Sequence, residues 1–191
     1  MPIKPFGVAK GRLASVLDAP ARSRLGRAVA NNTLAVLAET GVAVAVVTAD
    51  GGVAKWASSQ GVRVIVDPNT GLDDAAAAAV AASQGRWAIL HADLPLISVA
   101  DVRALLDAIP RHGVALAPSA DGGTTAVAGT VDSFGFAYGP GSFARHLRAA
   151  AAVPHAVVSR PGLALDLDTP ADYAMATSLL EDSWLTAAVA G

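Results

Sequence analysis

The feature that most constrains this chain is a rhythm: short aliphatic runs, each followed by a longer helix-prone stretch. The runs are 42–47, 63–66, 87–91 and 114–117, dominated by Val, Ile and Leu. Between them lie segments at about 21–39, 53–59, 74–83 and 99–109. In the first of these segments Leu25, Val29, Leu34 and Leu37 are placed to form one apolar stripe, and Gly41 ends it. Segment 74–83 is rich in alanine, the strongest helix former. Runs that are apolar throughout, rather than alternating, fit strands covered on both faces. A β-α-β-α-β-α-β order of this kind points to a mainly parallel sheet flanked by helices.

The second half is less regular. Asp121-Gly-Gly-Thr-Thr125 reads as a small loop, followed by a strand at 126–131. Residues 134–142 form a glycine-punctuated turn into a helix at 142–150. A short strand at 153–158, an acidic strand at 163–168 and a helix over 170–180 complete the pattern. The 191 residues, without an internal repeat or a linker, suit one domain over 1–180 with a tail at 181–191 that packs on the body or on a partner chain. With 53% hydrophobic and 16% charged residues the chain is globular, and a net charge of −2 offers no nucleic-acid or acidic-membrane surface. Cysteine is absent, which excludes disulfide and thiol chemistry. No apolar run approaches bilayer length and no signal-peptide core opens the chain, so the expected location is the cytoplasm. A homodimer is compatible with so apolar a chain, although no interface is legible.

The acids stand out against this apolar background. In the stretch Leu163-Ala-Leu-Asp-Leu-Asp-Thr-Pro-Ala-Asp172, apolar residues alternate with Asp166 and Asp168. On a strand, residues i and i+2 share a face about 7 Å apart, and two neighbouring carboxylates repel unless a cation lies between them. Helix capping by Asp168 or Thr169, ahead of Pro170, is the plainer reading, but it leaves Asp166 without a role. Asp93 follows an apolar strand and precedes Leu-Pro, at the carboxyl edge where open α/β sheets bind ligands. Three carboxylates suit Mg²⁺, a hard cation that usually shares its oxygen ligands with substrate phosphates. The complementary charge comes from Lys4, Lys10 and Arg12, in a glycine-containing loop after the first strand that can wrap a triphosphate.

These pieces, in this order and spacing, resemble the CofC/FbiD family of guanylyltransferases, which make the activated phospho-acid used to build coenzyme F-420. The resemblance covers about residues 3–175. It is carried by Lys4-x5-Lys10-x-Arg12-Leu13, Gly71-Leu72, Asp93-Leu-Pro95, Gly123-Thr-Thr-Ala126, Tyr138-Gly-Pro-Gly-Ser-Phe-Ala-Arg-His146 and Asp166-Leu-Asp-Thr-Pro-Ala-Asp172. It implies a single-domain nucleotidyltransferase fold of the glycosyltransferase-A type, with a mixed, mainly parallel sheet. It also implies that Asp93, Asp166 and Asp168 carry Mg²⁺, and that Thr125, Gly139 and Ser142 hold a three-carbon phospho-acid. From the residues alone, Ser142 is equally a helix cap and Gly139 equally a turn glycine. Two departures are visible. Only three residues precede Lys4, so the family's first strand is either shortened or a stub, and the family's Asn after Gly-Leu is Asp73 here.

The implied reaction is guanylyl transfer from GTP to the phosphate of phosphoenolpyruvate or 2-phospho-L-lactate, with pyrophosphate leaving. Phosphoenolpyruvate is preferred because the Ala/Val/Gly-rich composition is that of GC-rich bacteria. Competing readings keep the fold but change the chemistry (cytidylyl, molybdopterin guanylyl or glycosyl transfer), or keep nucleotide binding without catalysis.

Overall fold

The computed structural model describes residues 1–8, 10–180 and 184–190. Several of its helices begin at a side-chain cap. Asp18 accepts the Ala21 N–H at 2.7 Å to open α1 (Ala19–Glu39), and Asp50 accepts the Val53 N–H to open α2 (Gly51–Ser59). The predicted stripe of α1 is buried: Leu25, Val29, Leu34 and Leu37 all face the interior. Then follow α3 (Leu72–Ala81), α4 (Val99–Asp107), α5 (Ser142–Ala150), α6 (Pro161–Ala164), α7 (Pro170–Leu179) and α8 (Trp184–Ala190). A 3₁₀ turn, Gly11–Ser15, lies ahead of α1.

Six strands are described: β1 (Ala45–Thr48), β2 (Arg63–Val66), β3 (Trp87–Leu90), β4 (Val114–Pro118), β5 (Thr124–Gly129) and β6 (His155–Val157). β1 and β2 pair in parallel, and Pro2 adds one parallel bridge to Val47, so the first strand is a stub. The second sheet has the order β3-β5-β4-β6. β5 lies between β3 and β4 and is antiparallel to both, whereas β4 and β6 are parallel. The sheet is therefore mixed, as the fold class requires. Its one reversed strand is β5, which the Ser119–Gly123 turn folds back along β4.

Several boundaries move. Residues 42–44 are not strand, because β1 pairs with β2 only from Ala45 onward. The strand expected at 126–131 begins two residues earlier, where β5 meets Pro118. The larger correction is at 163–168, which is not a strand. Pro161 starts one turn of helix through Ala164, held by Leu163 and Ala164 N–H bonds to the Arg160 carbonyl. Only 165–168 runs on in extended form. That segment is anchored from α4: Asp101, in a capping box with Ser98, accepts the Arg160 Nε–H at 2.8 Å. A Cβ on Gly162 would collide with the Asp101 carboxylate and lie 2.7 Å from the Leu96 carbonyl oxygen.

The core has three parts. One lies between α1, α2, α4 and both sheets; a second around Trp87, Ile89, Leu116 and Val127; a third gathers Leu13, Leu25, Val29, Leu165, Leu167 and Leu185. Leu185 brings α8 onto α1, and Arg24 of α1 donates to the Ala188 and Val189 carbonyls. Much of the expected tail thus packs on the body; its start, at 181–183, and residue 191 lie outside the described residues. Among the described residues no helix is long and apolar enough to cross a membrane.

Candidate active site

Asp93 stands just beyond the end of β3, and its backbone carbonyl accepts the Leu167 N–H at 3.0 Å. This one bond brings the two acidic stretches together, because Leu167 is the residue between Asp166 and Asp168. Leu165 and Leu167 are buried in the third core cluster, so the strand-like alternation survives over 165–168 and turns Asp166 and Asp168 away from that core. Capping of α7 falls to Thr169, whose hydroxyl accepts the Asp172 N–H while Asp172 Oδ2 accepts the Thr169 N–H at 2.7 Å. Asp168 is thereby left available to a cation.

The cation it meets is Lys10. The Lys10 ammonium donates to Asp93 Oδ2 at 2.7 Å and to Asp168 Oδ1 at 3.1 Å, with only 6% of the side chain exposed. Lys10 adopts a left-handed backbone conformation, φ +62°, uncommon for a residue with a side chain. Burial alone would lower its pKa; the two carboxylates outweigh that and hold it above the usual value. Burial pushes the Asp93 carboxyl up, yet Lys10 and His91, with its hydrogen bonds, leave it below the ordinary range. Asp166 lacks such a partner. Burial first, then the charges of Asp93, Asp121 and Asp168, push its carboxyl up to about 7. Asp121 is a fourth acid at this edge, fixed by the Ser119 hydroxyl and by the Gly123 N–H at 2.9 Å. Of the other two basic residues singled out in the sequence, Lys4 and Arg12 are exposed, and Arg12 is close enough to lower the Asp121 pKa slightly.

The residues tied to the acceptor lie on a neighbouring wall built from β5, the turn at 137–140 and α5. Thr125 is fully buried and its hydroxyl donates to the Leu163 carbonyl at 2.5 Å, so its side chain braces the segment leading to Asp166. Ser142, also buried, bonds the Thr124 hydroxyl at 3.3 Å. Gly139 has φ +104°, a conformation that a residue with a Cβ rarely adopts. In these positions Thr125 and Ser142 direct their hydroxyls into the protein, and the turn at 139–142 offers mainly backbone. His146, beside them, accepts the Ala137 N–H on Nε2 at 2.8 Å. Its Nδ1 therefore carries the proton and faces Thr124 Oγ1 at 2.9 Å. Burial lowers its pKa to about 4, so the ring is neutral at pH 7.

Sequence reading missed Asp73, His91, Tyr138 and Arg145 as members of this wall. Asp73 accepts the Tyr138 N–H, and Arg145 spans the same turn. The Tyr138 ring packs against His146 and His91, with centroids 4.7 and 5.4 Å away. The signals available were that Tyr138, Arg145 and His146 belong to the motif that carries the resemblance and that Asp73 departs from it.

The donor set fits Mg²⁺ in kind. The acids are hard oxygen ligands, Asp93 Oδ1 is buried without a hydrogen-bond partner, and the raised Asp166 pKa marks a local shortage of positive charge. Among the described residues no three acid or histidine side chains converge as a complete ligand set. An ion here would use one or two carboxylates together with triphosphate oxygens and water, the usual coordination of Mg²⁺.

The fold is that of nucleotide-handling transferases. A Desulfovibrio desulfuricans G20 structure, provisionally described as a nucleotide-diphospho-sugar transferase, superposes with a TM-score of 0.72 at 18% identity, covering 88% of this chain and 80% of that one. A nucleotidyl transferase from Methanothermobacter thermautotroptrophicus superposes with a TM-score of 0.64 at 20% identity, covering 91% and 92%. Sequence carries the assignment further. The family described as "Guanylyl transferase CofC like" matches residues 1–175, and the chain belongs to it. A phosphoenolpyruvate guanylyltransferase of Sphaerobacter thermophilus is 35% identical over 182 residues, 90% of this chain and 88% of the relative.

Proposed function

We propose that the protein transfers GMP from GTP to the phosphate of phosphoenolpyruvate, releasing pyrophosphate, as a cytoplasmic step of coenzyme F-420 biosynthesis. The observation that carries this reading is the acidic edge where the buried Lys10 joins Asp93 to Asp168 with Asp166 unpaired between the charges, on a chain whose relatives are named for this reaction.

A phosphate oxygen of the acceptor attacks the α-phosphorus of GTP. The bond from that phosphorus to the bridging oxygen breaks, and pyrophosphate leaves with the electron pair. The nucleophile is already an anion, so no side chain has to remove a proton. The obstacle is the approach of two anions, and the protein lowers it by neutralising charge and aligning the reactants. Asp93, Asp166 and Asp168 are the candidates from which one or two carboxylates would hold Mg²⁺, which would supply charge neutralisation on the triphosphate. Lys10 keeps Asp93 and Asp168 together across separate chain segments. Arg12, exposed near Asp121, and the exposed Lys4 of the same loop suit the outer phosphates of GTP; Lys10 suits them where the metal takes over its carboxylates. Gly139 offers backbone to the acceptor at the turn that Ser142 closes, and Thr125 braces the segment leading to Asp166 through the Leu163 carbonyl.

Pyrophosphate release is the test, measured with GTP, ATP and CTP against phosphoenolpyruvate, 2-phospho-L-lactate and 3-phosphoglycerate, with Mg²⁺ or with chelator. The expected result is Mg²⁺-dependent release with GTP and phosphoenolpyruvate. Nucleotide binding without release from any acceptor would leave a non-catalytic module, and release with CTP in preference to GTP would move the chain to cytidylyl transfer.

A further inference from the structure

The turn at 137–140 is held by side chains to an unusual degree. Arg145, one turn into α5, spends its whole guanidinium on it: Nε donates to the Ala137 carbonyl at 3.0 Å, Nη2 to Tyr138 at 2.9 Å and Nη1 to Pro140 at 2.7 Å. His146 Nε2 accepts the Ala137 N–H, and Asp73 Oδ1, reaching from the first turn of α3, accepts the Tyr138 N–H at 2.7 Å. Every polar backbone group of Ala137 and Tyr138 is thus engaged by a side chain from one of two helices. The Gly139 carbonyl accepts the Ser142 N–H at 3.0 Å. Among the described residues the Gly139 N–H alone, of the amides at 137–139, has no partner.

We propose that Arg145 and Asp73 are positioning residues for the acceptor: they clamp the turn so that the Gly139 amide stays available to an anionic phospho-acid. The inference rests on the reading that this turn holds the acceptor. A loop would otherwise satisfy these carbonyls with water and sample several conformations. The planar fork of arginine matches three carbonyls at once, which a lysine ammonium cannot reproduce. Asp73 acts through an accepting oxygen rather than its charge, so an asparagine at this position would serve as well. In this chain Asp73 is accordingly a fastener of the acceptor turn and not a nucleotide contact.

The test separates geometry from charge. Steady-state pyrophosphate release is measured for wild type, Arg145→Lys, Asp73→Ala and Asp73→Asn, varying GTP and phosphoenolpyruvate separately. Arg145→Lys and Asp73→Ala are expected to raise the acceptor KM about 10- to 100-fold, the effect of a misplaced binding group, with the GTP KM within about twofold. Asp73→Asn is expected to restore the acceptor KM to within about threefold of wild type. Asp73 is exposed, so its truncation leaves the core intact, and an unchanged GTP KM reports a folded enzyme in each variant. An unchanged acceptor KM in Arg145→Lys and Asp73→Ala overturns the clamp alone. A rise in Asp73→Asn equal to that in Asp73→Ala shows that charge matters, and also overturns it. Absence of acceptor-dependent release in the wild type overturns the functional reading and the clamp with it.

Discussion

Replacing Lys10 by methionine is expected to destabilise the protein by ~3 kcal/mol at pH 7, because it strips a buried carboxylate of its counter-charge. The magnitude follows from the surroundings. The Lys10–Asp93 contact is 2.7 Å long, with 6% and 27% of the two side chains exposed, so most of the Asp93 desolvation is left uncompensated. Asp168 is 44% exposed, and its share of the bridge is screened to below ~1 kcal/mol. For a chain of this length ~3 kcal/mol corresponds to a fall in Tm of roughly 6–12 °C, read by circular dichroism. The pH dependence gives a second handle. The native Asp93 pKa lies below its ordinary 3.8, so the stability tied to its ionisation is present above that value and is lost as pH falls through the native one. Without Lys10, burial loses its main opponent, Asp93 takes up a proton more readily, and the gap between variant and wild type narrows toward pH 4. A variant melting within ~2 °C of wild type at pH 7 refutes the bridge as a structural cation.

Other expectations concern the same edge and its supports. Asp166→Asn should stabilise the metal-free protein at pH 8 while abolishing turnover. The native carboxyl titrates at about 7, so its stabilising proton is present below 3.8 and lost as pH rises through 7; removing the crowded charge gains ~1 kcal/mol after allowance for solvent, seen as a higher Tm in chelator. His146 is buried neutral with a pKa of about 4 against an ordinary 6.5, so stability should decline by up to ~3 kcal/mol as pH falls from 6.5 to 4. Urea titrations show whether His146→Phe flattens that decline. Gly162→Ala drives a methyl against Asp101 and the Leu96 carbonyl; a loss of ~1–3 kcal/mol in thermal melts is expected, with turnover reduced through displacement of Asp166.

Much of this arrangement could be read from residues alone, and the failures share a cause. The apolar runs and the α1 stripe revealed the strands and helices, because burial on one or both faces leaves a direct imprint on sequence. The alternation of Leu165, Asp166, Leu167 and Asp168 correctly separated a buried side from an acidic one. It did not reveal that the segment opens with a helical turn at Pro161, or that one bond to the Asp93 carbonyl replaces a strand ladder. The antiparallel insertion of β5 was hidden because strand direction is set by pairing partners far apart in sequence. Lys10 was legible as a cation but not as a buried bridge, since its partners lie 83 and 158 residues away. Asp73 and Arg145 act on the backbone of a distant turn, a role that residue type does not reveal. Thr125 was tied to the acceptor by resemblance alone; that its hydroxyl bonds the Leu163 carbonyl, 38 residues away, is not visible in its type.

The most direct test of the acidic edge as a guanylyl-transfer centre is pyrophosphate release from GTP and phosphoenolpyruvate by wild type and Asp168→Asn across a Mg²⁺ titration. The account predicts release by the wild type that requires all three components, and a rate at least ~100-fold lower in a folded Asp168→Asn. A near-normal rate for Asp168→Asn at saturating Mg²⁺ contradicts it.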